Sequence, residues 1–174
     1  ENVTDIPDSF WGATHWVEVL VQGGTDADVA AAIEGARGHT VWTLGSTSVA
    51  VPKVGYASGS VTIRFSRPNL VDVWTSLTIT KGEDYSTDNS PAAVSAREQA
   101  IRQQILAWSA TRKVGIDVTA FQVAAQASAT PSVPGIASIS ATVGLANPPL
   151  NQVVVADPRD LLVFDAARIL LAGV

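Results

Sequence analysis

Residues 15–37, HWVEVLVQGGTDADVAAAIEGAR, constrain the fold more tightly than any other stretch of this chain. Val17, Val19 and Val21 alternate with Trp16, Glu18 and Leu20, and branched and aromatic residues at period two read as a strand. Gly23-Gly24 follows, a turn that tolerates positive φ. Thr25 stands three residues before Asp28, the spacing of a capping box, and Asp26 and Asp28 put negative charge where a helix dipole favours it. Val29, Ala32, Ile33 and Ala36 recur at i, i+3, i+4 and i+7, which predicts a helix with one apolar face. Arg37 and Gly38 supply a cationic last turn and a stop. The result is a strand–turn–helix unit, and its purpose is the central question.

A glycine-rich turn between strand and helix can cradle a phosphate on the helix N-terminus. The residues here argue against that use. There is no third glycine placed for GxGxxG and no GxxxxGK[ST] lysine, and Asp26 and Asp28 would repel an anion at that helix end. The turn reads as structural.

The remaining bounds come from composition. A chain of 174 residues suits one domain or two small ones and can bury roughly 70% of its unfolded surface. Apolar residues make up 47% and charged residues 16%, which excludes disorder. The net charge is −5 and the Lys and Arg residues are scattered, so neither nucleic acid nor an anionic membrane surface is an expected partner. No apolar run approaches a membrane span, and no signal peptide opens the chain. Without cysteine, thiolate chemistry is out and a metal would need His and carboxylates. The chain begins at Glu1 and holds no methionine, so it reads as a fragment or processed product of a larger protein.

Taken in order, residues 1–14 read as an irregular arm. Residues 39–51 are strand-like with a bend or hairpin at Gly45-Ser46, and that strand is a candidate neighbour of strand 15–21. Val61, Ile63 and Phe65 alternate with Thr62, Arg64 and Ser66 as a half-buried strand, which Arg67-Pro68-Asn69 breaks. Val71, Val73, Thr75, Leu77 and Ile79 form one face of the next strand, and residues 81–89 are a polar loop. Ser90-Pro91 starts a long helix reaching about Lys113. Its stripe is Val94, Ile101, Ile105 and Trp108, with Arg97, Glu98, Arg102 and Gln103 largely outside it; Arg112, Lys113 and Gly115 end it. A second helix is expected over 117–128, with Val118, Phe121 and Ala125 on one face. A strand containing Ile139, Ala141, Val143 and Leu145, a corner at Asn147-Pro148-Pro149 and the short run Val153–Val155 follow. Residues 159–171 fit either a helix or a turn and strand. The order β-α-β-β, then β-α-α-β-β, predicts an α+β fold of two small αβ units, 1–68 and 69–174, with helices packed on mostly antiparallel sheets.

Few constellations carry chemistry. His15 and His39 are the only histidines; with Asp26 or Asp28 they make a conceivable metal site, but no HxH or HExxH spacing supports it. Ser46, Ser58 and Ser60 sit in no GxSxG elbow. Glu83-Asp84 reads as a solvated pair and Asp26/Asp28 as a helix start. Trp11, Trp16, Trp42, Trp74 and Trp108 could stack on sugar rings, though core or interface placement is the favoured reading. The sequence therefore assigns no catalytic, cofactor-binding or metal-binding residue.

An ordered series of segments resembles the baseplate J-like proteins of contractile-tailed phages and related injection machines. It consists of ENVTD, then HWVEVLVQGGTDADVAAAI, VWTLGSTSV and TIRFSRP, with Gly23-Gly24, Asp28, Ala32, Ile33, Thr43-Leu44-Gly45 and Ile63 to Pro68 at the matching places. Strand 71–80, helix 90–113, Gly115-Ile116-Asp117-Val118 and Val133-Pro134-Gly135-Ile136 continue the family's order. The resemblance covers nearly the whole chain and corresponds to the C-terminal part of such a protein; the Ala-rich stretch 120–130 departs from it. It implies a structural wedge component of a virion tail baseplate, assembled in the bacterial host cytoplasm. Its implied partners are other baseplate and tail proteins; it implies no catalytic residues, cofactor or small-molecule substrate. It also implies that the tail after Asp160 ends in a short strand. An enzyme with His15 or His39 beside carboxylates, and a glycan-binding tail module with a row of exposed Trp, are the alternatives.

Overall fold

The computed structural model describes residues 2–7, 15–38, 41–55 and 59–174, with backbone alone for 2–7 and 15. The fold is α+β, and the chain divides into two compact units, Glu1–Pro68 and Asn69–Val174.

In the first unit β1 (Asn2–Pro7), β2 (His15–Leu20) and β3 (Val41–Leu44) form one sheet; β1 runs antiparallel and β3 parallel to β2. β4 (Thr47–Pro52) and β5 (Ser60–Phe65) form a separate antiparallel pair. Part of the arm expected to be irregular is thus a strand, because β2 offers an edge whose N–H and C=O groups a short segment with Val and Ile can pair with. The strand expected over 39–51 is two strands in two sheets. Gly45 makes the break: at φ +153° a Cβ there would lie 2.1 Å from the Phe65 carbonyl carbon, so only glycine lets β3 turn away this close to β5.

Helix α1 (Asp26–Ala36) begins at Thr25, whose Oγ1 accepts from the Asp28 amide. It packs on β4 and β5, where Ala30 joins Val51, Ile63 and Phe65 in a small core. The helix is rotated from the face the sequence predicts: Ala30 and Glu34 are buried, Val29 and Ile33 half-buried, and Ala32 and Ala36 exposed. Glu34 tolerates burial because Arg37 Nε donates to its carboxylate at 2.6 Å.

In the second unit β6 (Asn69–Lys81) is the central strand, with β8 (Ile136–Gly144) antiparallel on one side and β10 (Asp160–Ala172) parallel on the other. Val73, Thr75, Leu77 and Ile79 are buried beneath α2 (Pro91–Ser109) and α3 (Ala120–Ser128), as the alternation predicts. The tail is a strand, but thirteen residues long rather than short. Pairing with β6 holds it, and a register shift between Phe164 and Ile169 absorbs the mismatch.

Three further expectations change. Helix α2 stops at Ser109, a turn before Lys113, and Arg112 Nη2 instead donates to the carbonyls of Ile116 and Asp117 in the loop beyond. Arg97 is buried, not outside the stripe, with its guanidinium over the Tyr85 ring; Tyr85 itself is a buried member of a loop read as polar. The second helix starts at Ala120, after the two-residue strand β7 (Val118–Thr119) that pairs with β9 (Val153–Val154). Its buried face is Ala120, Val123 and Ala127, and Phe121 and Ala125 point outward. Thr119 is the reason: its side chain caps Gln122 N–H while Gln122 Oε1 accepts the Thr119 amide, which fixes the helix start and hence its rotation.

Candidate functional site

The Gly23-Gly24 turn is the element whose use the sequence leaves most open. Both glycines have positive φ, +77° and +73°. Arg67 closes the turn from β5's end. Its Nη1 donates to the carbonyls of Val21 and Gly23, and its Nη2 donates to the Gly24 carbonyl at 2.9 Å and to Asp26 Oδ1 at 2.6 Å. The guanidinium also lies 5.1 Å from the Phe65 ring centroid. At the helix start, Asp28 accepts the Thr25 hydroxyl at 2.6 Å. Carbonyls converge on a cation and carboxylates guard the first turn, which is the arrangement of a structural lock and the opposite polarity from a phosphate cradle. The sequence shows Arg67 only as part of a strand break; nothing in its spacing from Gly23 announces the lock.

Beside this turn lies a groove of about 310 Å³ between α1 and the sheet. Val17 and Val19 line it from β2, Val21 from just beyond that strand, Val29 and Ile33 from α1, and Val41 from β3. Its polar residues, Arg37 and Thr43, are engaged elsewhere: Arg37 Nη1 donates to the Val41 carbonyl, and Thr43 Oγ1 accepts the Arg64 amide at 2.8 Å. The groove therefore presents aliphatic surface and no convergent reactive groups.

The opposite face of β2 carries Trp16, Glu18 and Leu20. Glu18 is 8% exposed and accepts from Ser66 Oγ at 2.6 Å; Ser66 Oγ in turn accepts the Ser46 amide. This buried carboxylate is a feature the sequence reading missed, since period two alone does not say that both faces of β2 are covered. The Ser66 hydroxyl helps to hold it.

Among the described residues the other sequence candidates do not assemble. β2 and β3 are neighbours in parallel register, His15 opposite Val41, but His39 and the side chain of His15 lie outside the described residues. Trp11 and Ser58 lie outside them too. Among the described residues no group of three His, Cys, Asp or Glu side chains is placed to hold a metal ion. Glu83 and Asp84 are exposed in their loop. Of the tryptophans, Trp108 packs on Phe164 with Arg112 over its ring, and Trp74 lies under Arg168, which pairs with Asp72 at 2.7 Å. Trp16 and Trp42 stand in register on adjacent strands, ring centroids 5.9 Å apart and planes inclined at 31°; Trp42 is 53% exposed. No described helix is long and apolar enough to cross a membrane.

Comparison with known proteins returns no matching protein family and no matching curated protein.

Proposed function

We propose that this chain is a structural component of a contractile-tail baseplate, a wedge part acting through contacts with other baseplate and tail proteins, and not an enzyme. The ordered series of segments from ENVTD to TIRFSRP, continued through the second unit, carries the reading. Supporting it, three carboxylates of the first unit are bound into structure: Asp26 to Arg67, Asp28 to Thr25, Glu18 to Ser66. The test is to tag the chain in its source, purify assembled tail particles and locate it by cryo-electron microscopy. Density for both units at the baseplate supports the reading; intact particles lacking the chain overturn it.

The pair Trp16–Trp42 favours a second reading, a glycan-binding tail module, because an exposed indole beside another on one sheet face can stack on a sugar ring. Titration with host-surface oligosaccharides, followed by tryptophan fluorescence in wild type and Trp42→Ala, decides it. A saturable change lost in the variant favours glycan binding, and no change removes it.

A further inference from the structure

In the first unit two apolar stripes face each other without meeting. Val17, Val19 and Val21 form one, at alternate positions of β2 and the residue beyond it; Val29, Ile33 and Ala36 form the other, on α1. The three valines of the first stripe, with Val29 and Ile33, are only half-buried, although Glu18 and Leu20 on the opposite face of β2 are buried. The groove of about 310 Å³ lies between the stripes.

The helix is held so that it does not close this groove. Ala30 seats α1 on Val51, Ile63 and Phe65, and an arginine fixes each end. Arg67 bonds the Gly23 and Gly24 carbonyls and Asp26 where the helix begins. Arg37, where it ends, donates from Nη1 to the Val41 carbonyl of β3 at 2.6 Å. The groove is therefore preformed, as small-molecule sites usually are. Ala32 and Ala36 are exposed at its rim, and their small side chains leave it open.

Dimensions and lining select the occupant. At the rise of a strand and of a helix, the stripes run about 13 Å along β2 and about 10 Å along α1. The volume then leaves a cross-section of about 25–30 Å². A helix with its side chains is about 10–12 Å across, and a packed strand takes about 5 by 10 Å, so neither fits inside. A single alkyl chain does. A methylene takes about the space of a water molecule, roughly 30 Å³, so the groove holds about ten carbons. Charge sets the head group. Glu34 already meets the Arg37 guanidinium at 2.6 Å, so an ionic head would find no unmatched charge there.

We propose that this groove binds a neutral, unbranched alkyl chain of about ten carbons, such as that of a fatty alcohol. The site lies wholly within the first unit and does not depend on the baseplate reading.

The test is titration of the whole chain with a series from hexan-1-ol to dodecan-1-ol, followed by methyl NMR. Saturable shifts are expected at Val17, Val19 and Ile33. Affinity should rise about fourfold per methylene and level off near ten carbons. Decanoate should bind at least tenfold more weakly than decan-1-ol at pH 7. Ala32→Phe fills the groove from its exposed rim and should weaken decan-1-ol binding at least tenfold with circular dichroism unchanged; Ala36→Phe serves the same purpose if the first variant unfolds. Phe121→Ser, which removes an exposed apolar side chain of the second unit, should leave binding unchanged. The proposal is overturned if no saturable shift appears at these methyls up to the solubility limit, if the groove-filling variants bind as tightly as wild type, if binding is lost in Phe121→Ser, or if decanoate binds more tightly than decan-1-ol.

Discussion

Arg67 offers the sharpest test of how the first unit is held together. Its guanidinium bonds three carbonyls and one carboxylate and lies over Phe65, so Arg67→Ala removes all of these at once. The Asp26 pair is 57% exposed on the acid's side and counts for little, about 0–1 kcal/mol. Of the carbonyl bonds, the one to Val21 is partly shielded and those to Gly23 and Gly24 are exposed; toward the lower end of roughly 0.5–1.5 kcal/mol each, the three together still dominate. The contact with Phe65 adds about 0.5–1 kcal/mol. Because these terms overlap, a net loss of about 2–4 kcal/mol is expected, a substantial part of the roughly 5–15 kcal/mol available to a domain. In urea, with a slope of roughly 1–3 kcal/mol per molar, the midpoint of the first unit should fall by about 1–2 M. Amide exchange at Ala30 and Ile33 should report the same loss locally. Arg67→Lys is the discriminating variant: an ammonium cannot span Gly23, Gly24 and Asp26 together, so it should recover less than half of the loss. If Arg67→Lys melts with wild type, or if Arg67→Ala leaves α1 fully protected, the lock is not what secures the turn.

Four further outcomes are expected. Ile105 is fully buried in the second core, so Ile105→Asp strands a charge there and should cost several kcal/mol; loss of the cooperative melt of that unit checks it. Asn69–Val174 should fold alone, and a fragment without cooperative unfolding would show that its core needs the first unit. The Asp88 carboxyl is held below its ordinary pKa chiefly because it accepts the Ser90 amide, and the nearby Arg97 adds to this. A depressed pKa contributes stability above the unfolded value near 3.8 and loses it as pH falls through the folded value, so Asp88→Asn should flatten the acid limb of the stability–pH curve below about pH 4. On the baseplate proposal, changing His15, His39 and Glu83 together to Ala should leave tail particles assembled and infective; assembled particles that fail to infect would favour a catalytic or glycan-directed role.

What could be read from the sequence was local. The Thr25 and Ser90 caps, the alternation of β5 and β6 and the break after Arg67 are set by residues within a few positions of each other, and backbone sterics and capping hydrogen bonds act over that range. The α+β class follows from the order of such elements. Rotation and partnership were not legible. Phe121 and Ala125 do form an apolar helix face, but nothing local says whether that face meets a core or solvent, and the Thr119–Gln122 box turned it outward. The alternation in β2 does not say which of its faces is covered, and Ser66, far along the chain, supplies a hydroxyl to the buried Glu18. Periodicity left the tail from Asp160 open between helix and strand; β6, already buried and lacking a partner on one side, decided it by offering a ladder of hydrogen bonds that a helix would have left unmade. Sequence determined which segments form elements and where they start. Tertiary structure decided which face each element buries, because that depends on the groups that long-range folding brings opposite it.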